Sequence, residues 1–155
     1  MPSKIIPPVR LAPARLTRKR LWILLEAAIC LTCAKLLVRG IPFRLLVLTL
    51  GRKNRKPPSN CANASPAPIA DIGSALRAIG RRLIPLRQCL PQAIAAYWMA
   101  RRRNVSSTLY LGARIKAGHL SAHAWLGVGD RFVVGGESRD GYHVIAAFGD
   151  DRDDL

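Results

Sequence analysis

Apolar residues dominate the chain from Leu16 to Arg39, with few charges between them. Such a pattern predicts a long helix, with Gly40 suited to its C-terminal end and Pro42 blocking continuation. A second short helix is expected from Phe43 to Leu50. The stretch Gly51 to Asn60 is polar, basic and proline-containing and reads as a linker. Further on, Ile69, Ile72, Leu76, Ile79 and Leu83 recur at helical spacing, with Arg77, Arg81 and Arg82 on the other side and Pro85 as a stop. Another helix is expected from about Leu90 to Arg102, with Pro91 in its first turn, where a missing N–H costs nothing. The period then changes to two. Strands are predicted over Thr108–Ile115, Ala122–Val128, Arg131–Val134 and Tyr142–Phe148. Between them, Lys116–Leu120 reads as a turn, Gly129-Asp130 as a tight hairpin turn and Gly135-Gly136 as a bend. The proline-rich residues 1–14 read as an extended arm, and the Asp-rich tail 149–155 as frayed. Helices followed by antiparallel strands make an α+β layout, with the helices on one face of the sheet. The linker divides it into a basic helical extension, residues 1–58, and a second unit, residues 59–155.

Charge adds an asymmetry that the hydrophobic pattern lacks. Residues 1–60 carry 13 Lys or Arg against the single acid Glu26, whereas residues 121–155 carry three bases against seven acids. The whole chain has a formal net charge of +16, a field that attracts acidic peptides, anionic membrane surfaces or nucleic acid. Nothing resembles the basic strand interleaved with aromatics on which bases stack, so nucleic acid is set aside as a partner. Residues 21–38 come nearest to a membrane span, but they contain Glu26 and Lys35. Each such charge near a bilayer centre costs about 2.5–3.5 kcal/mol on insertion scales. A buried or peripheral amphipathic helix is the better reading. No signal peptide is recognisable, so a cytoplasmic protein is expected, with any membrane contact peripheral and on the inner face.

Of the four cysteines, Cys30 and Cys33 form a C-x-x-C inside an apolar helix with no His near it, and read as two small buried residues. Cys89 is different. It follows Arg87-Gln88 and opens a helix, where the positive end of the macrodipole favours thiolate. The backbone N–H groups there could also hold an oxyanion. Further along, His123 lies on an alternating strand and shares a face with Trp125. Each residue alone is most simply a packed core residue. A helix thiol followed by a strand imidazole is the order of a nucleophile–base pair. Asp130, Glu137 and Asp140 are the acids that could orient the imidazole. Glu137 ranks first, because it follows the strand expected to pair with the His strand. Gln88 could place an amide beside a reacting carbonyl, or serve only as a helix-entry residue. His119 reads as a loop residue, and His143 as a solvent-facing or recognition group. His119 and His123 make no metal pair, because their spacing would need a helix where the pattern is strand.

Together these segments resemble a known family. CLPQAIAAYWMARRR from Cys89, TLYLGA from Thr108, LSAHAWL from Leu120, VVGGE from Val133 and YHVIAAFG from Tyr142 are similar to the leader peptidase of lasso-peptide biosynthesis. That family is the microcin-processing protein of the transglutaminase-like superfamily. The resemblance covers about residues 60–149. It implies a papain/transglutaminase-like cysteine peptidase core, with Cys89 as nucleophile, His123 as base, and Tyr97 and Trp125 near the substrate. In many members an Asp follows on the strand after the His; here Gly135-Gly136 stands at that place, with Glu137 just beyond. The implied chemistry needs no cofactor. The implied partners are a lasso precursor peptide, a separate leader-recognition protein and a cyclase resembling asparagine synthetase. Two rival readings are kept: a non-catalytic protein that binds an acidic peptide or membrane, and a transglutaminase-type acyltransferase.

Overall fold

A computed structural model of the chain describes residues 17–42, 44–46, 50, 52–53, 66–82 and 88–149. The elements, in chain order, are α1 (Arg18–Gly40), β1 (Arg52–Lys53), α2 (Pro66–Arg82), α3 (Cys89–Arg102), β2 (Thr108–Lys116), β3 (His119–Val128), β4 (Arg131–Val134) and β5 (His143–Gly149). A 3-10 turn, Gly136–Ser138, lies between β4 and β5. The sheet order is β1-β5-β2-β3-β4, with every neighbouring pair antiparallel. Helices on an antiparallel sheet form the α+β layout expected from the pattern and the papain-like core that the resemblance implies, with a helix at its N-terminal side.

Alternation along the strands decides which face is covered. Leu109, Leu111, Ala124, Leu126, Ala146 and Phe148 join one core with Ile72, Leu76, Ala93, Ile94 and Tyr97 of α2 and α3. Helix α1 does not touch the sheet closely. It rests on α2 and α3, which in turn rest on β2, β3 and β4. Its contact row is Ala27, Leu31 and Ala34, all fully buried. Two alanines there let the helix axes approach closely, and the helix ends as Ile41 N–H bonds Leu37 O. The boundary expected at residues 58/59 lies outside the described residues. So do the Pro-rich arm, the acidic tail from Asp150 and the stop at Pro85.

The structure corrects several expectations. Arg52 and Lys53, read as linker, pair with Phe148 and Gly149 at the sheet edge. That pairing is a backbone event with no side-chain periodicity behind it. Helix α2 begins at Pro66, before the first periodic residue. The turn after β2 is only Ala117-Gly118, so His119 is a strand residue paired with Lys116. Both turn residues have positive φ, 51° and 79°, as a two-residue hairpin of the twist-matching type requires. Cys33, expected buried beside Cys30, is exposed: a three-residue step rotates it toward solvent. Of the short helix expected over 43–50, residues 44–46 are helical, and Phe43 and residues 47–49 lie outside the described set.

Alanine at 117 carries a left-handed strain that asparagine tolerates better. Ala117→Asn is therefore expected to raise stability by about 1 kcal/mol, read as an upward shift of the chemical unfolding midpoint. A second expectation concerns the acid of α1. Glu26 takes a two-pronged ion pair from Arg103 at the end of α3, with Nη1–Oε1 3.1 Å and Nη2–Oε2 2.6 Å. Arg103 Nη1 also donates to Met99 O at 2.9 Å. The hydrogen bonds and charge of Arg103 hold the Glu26 carboxyl below its ordinary value of 4.5, against the opposing effect of burial. A depressed folded-state value means that the pair contributes fully above about pH 4.5 and loses its contribution as pH falls through the folded value. Glu26→Gln is expected to cost about 1–3 kcal/mol near neutral pH. The gap from wild type should shrink in acid, as measured by urea unfolding at a series of pH values.

Candidate active site

Cys89 is the first residue of α3, half-buried and free. Gln88 caps the helix with its backbone: extended (φ −65°, ψ 135°), exposed, its carbonyl accepting from Gln92 N–H at 3.3 Å, its side chain making no capping bond. Helical geometry leaves the N–H groups of Cys89 and Leu90 without an intrahelical carbonyl, and Pro91 has none to leave. The opposite end carries Arg101 and Arg102, and no acid sits in the first turn, so the charge pattern leaves the field at the thiol to the helix. Residues 103–107 join α3 to β2, and α3 packs on β3.

His123 is held from three sides. Its Nε2 lies 2.8 Å from Gly135 O. A carbonyl only accepts, so Nε2 carries the proton, and the acceptor of the neutral ring is Nδ1. Trp125 stacks beside it with centroids 5.8 Å apart, and Tyr142 lies tilted at 5.3 Å. Tyr142 is itself fixed, sharing a 2.9 Å hydrogen bond with Ser121 Oγ and carrying the Arg114 guanidinium 4.4 Å above its ring. Trp125 in turn stacks on Tyr110, with centroids 5.8 Å apart. Gly112, opposite His123 in the register, is what allows this packing. A Cβ there would fall 2.7 Å from the Trp125 ring and 3.1 Å from Tyr142 Cβ.

Helix α2 packs on β4 two residues before the carbonyl that orients His123. Gly73 lets that helix approach β4 so closely that a Cβ would lie 2.8 Å from Val133 O, and Arg77 Nη1 donates to the same oxygen at 3.1 Å. Two residues on, Gly135 turns left-handed at φ 74° and sets its carbonyl against the ring. This group was missed by the sequence reading, which searched side chains. The signal was the absence of a side chain, glycine standing where an orienting acid was looked for.

Glu137, the acid ranked first, is exposed in the 3-10 turn two residues beyond the carbonyl that the ring uses. Asp130 and Asp140 are exposed turn residues. Tyr97 is fully buried within the core, away from any surface a substrate could reach. Trp125 is also buried, so its contact is with the imidazole rather than with solvent. His143 opens β5, exposed, opposite Ala113. Cys89 and His123 are not hydrogen-bonded to each other. The helices cover the Ala124–Leu126 face of β3, and the His123 ring lies in the aromatic group on the alternate positions. The same end of the sheet exposes Ile115 and Leu120, a register pair three residues from Gly112 and His123 and so on the opposite face, whereas Val144 lies opposite Gly112 on the imidazole side.

Residues 28–147 match the family described as the transglutaminase-like superfamily, a stretch that runs from α1 through the sheet. No curated protein and no solved structure matches the chain significantly.

Proposed function

The chain belongs to the transglutaminase-like superfamily, whose members are in general cysteine peptidases or acyltransferases, and on that premise we propose that it is a cysteine peptidase. Its substrate would be a ribosomally made lasso-peptide precursor. Removal of the leader would free the core's N-terminal amine, which a partner cyclase then joins to a side-chain carboxylate. A separate small protein would recognise the leader, and the site of action would be the cytoplasm. One observation carries the catalytic part of this reading. The Gly135 carbonyl holds Nε2–H of His123, leaving Nδ1 as the base. The segments around Cys89, His123 and Gly135 that resemble leader peptidases support the choice of substrate.

The steps use groups already described. Cys89 Sγ gives its proton to His123 Nδ1 and bonds to the carbonyl carbon of the last leader residue. The mechanism requires the helix that carries Cys89 to shift against β3 as substrate binds, because His123 lies on the strand positions alternate to those the helices cover. The N–H groups of Cys89 and Leu90 stabilise the oxyanion. The imidazolium then protonates the leaving amine as the C–N bond breaks, and water, deprotonated by the same Nδ1, hydrolyses the thioester. A carbonyl orients the ring but brings no negative charge to the imidazolium, so the site is weaker than one with a carboxylate. Ile115 and Leu120, an exposed cross-strand pair, offer an apolar surface for an extended peptide.

The test is incubation of the protein with a lasso precursor and its leader-binding protein, read by mass spectrometry. Two fragments whose masses sum to precursor plus water support the peptidase. Release of ammonia, or joining to an added amine without a cut, would make the protein an acyltransferase. The missing thiol–imidazole bond favours a second reading, a non-catalytic peptide-binding protein. That reading gives intact precursor together with measurable binding.

A further inference from the structure

Helix α1 is apolar on two opposite sides, and among the described residues only one of them is packed. Ala27, Leu31 and Ala34 face α2 and α3. Leu21, Trp22, Leu25, Ile29 and Leu36 are 51–66 % exposed. At 3.6 residues per turn these five fall within about 100° of arc, on the side away from the buried row. The stripe runs for roughly 22 Å along the helix. Arg18 and Arg39 lie on the same arc at its two ends, and both are exposed. The hydroxyl of Thr32, also on this arc, donates its proton to Ala28 O at 2.8 Å, so toward a partner it keeps acceptor capacity alone.

We propose that this stripe of α1 docks in the plane of an anionic lipid surface, with Leu21, Trp22, Leu25, Ile29 and Leu36 among the acyl chains and Arg18 and Arg39 at the phosphates. The occupant follows from charge and from the scarcity of polar groups on the stripe. A second copy of the chain would bring basic helix ends against basic helix ends, whether the helices ran parallel or antiparallel, in a protein of net charge +16. A structured protein partner is selected by matched hydrogen bonds, for which the stripe between Arg18 and Arg39 offers little beyond one threonine acceptor, whereas a lipid interface needs only apolar area and positive charge. Glu26, the acid that argues most against membrane contact, is turned off this arc and neutralised by Arg103. A cleft of about 580 Å³ opens beside the stripe, its apolar wall built by Trp22, Leu25 and Ile29, with Lys19 and Arg102 among its charged residues. Its acids are Glu26, held by Arg103, and Asp71. Because α1 lies behind α2 and α3, the sheet would face away from the lipid, leaving the aromatic face of His123 open to solution.

The experiment is flotation of the purified full-length chain with vesicles of neutral phosphatidylcholine, and of phosphatidylcholine containing 30 mol% phosphatidylglycerol (roughly one anionic headgroup in three). The wild-type chain is expected to partition at least about tenfold more strongly onto the anionic vesicles, and to lose most of that preference in 1 M salt. The triple variant Leu21→Gln, Leu25→Gln, Ile29→Gln should lose about tenfold or more in binding while keeping the wild-type circular dichroism spectrum, since all three positions are exposed. Arg18→Glu with Arg39→Glu should abolish the anionic preference. Equal binding by wild type and the apolar triple variant, or equal binding to the two vesicle types, would overturn the proposal. A concentration-dependent dimer that the triple variant dissolves, without flotation, would overturn it in favour of a second copy. A monomer that does not float would overturn it as well. None of these readouts depends on Cys89 or on catalysis.

Discussion

Cys89→Ala is expected to leave a precursor peptide uncut, with the rate falling by at least about 10³-fold and the chain still folded. The size follows from what is removed. Without Sγ no thioester forms, and water would have to attack an amide unaided by a covalent step. Any residual rate would come from the N–H groups of Cys89 and Leu90 and from peptide binding. Cys89 is half-buried at the helix entrance, and alanine is the best helix former, so the substitution should scarcely alter stability. A single-turnover cleavage assay beside a thermal melt separates the two effects. Equal cleavage by variant and wild type would sink the peptidase mechanism. His123→Ala in the same assay should cost a similar factor, because nucleophile and base act as a unit and their losses do not add.

The second large effect is expected at a residue with no side chain. Gly135→Ala should destabilise the fold by about 2–4 kcal/mol and slow cleavage in whatever fraction remains folded. Two costs combine. At φ 74° alanine is strained, and its Cβ would fall 2.5 Å from Ala124 O and 3.0 Å from Trp125 Cβ. The first of these is backbone of the neighbouring strand and cannot swing aside. Relief therefore requires the bend to move, and with it the carbonyl that fixes His123. Gly118→Ala is the control. Its φ of 79° imposes similar strain, but its Cβ would meet nothing within 4 Å. It should cost only about 1–2 kcal/mol and leave cleavage untouched. Urea unfolding gives the two stabilities. A single-turnover cleavage rate normalised to the folded fraction tells a positioning effect from a loss of folded protein. Equal stability losses at 118 and 135 would show that the close approach carries no cost.

These two residues also mark how far the sequence could be read. The elements that hold Cys89 and His123 were legible, because a helix at period 3.6 and strands at period two leave their trace in side chains. Helix α3 differs by one residue from its expected start, and the hairpin at Gly129-Asp130 falls where its turn residues put it. The α+β class followed from the order of those elements. The charge asymmetry and the apolar length of α1 were likewise written in composition.

What the sequence could not carry was any interaction made by backbone or decided by which face is already occupied. Strand β1 pairs through peptide groups, so its two residues looked like linker. The turn at Ala117-Gly118 was overdrawn because alanine does not advertise a left-handed conformation. The His123 partner was sought among acids, and the fold supplied a carbonyl, since a peptide oxygen held at 2.8 Å serves as acceptor without any particular side chain. Tyr97 shares its helix with Cys89, yet only the packing of α1, α2 and the sheet around α3 decided that it is wholly enclosed. Likewise the sequence of α1 does not say which of its two apolar sides is packed. The tertiary structure alone decided that Ala27, Leu31 and Ala34 spend one side on the core, leaving Leu21, Trp22, Leu25, Ile29 and Leu36 facing out. Local pattern fixes the period of an element, because neighbours in sequence share its geometry. Its occupied face and its backbone partners depend on residues distant in the chain, and so emerge only when the elements pack.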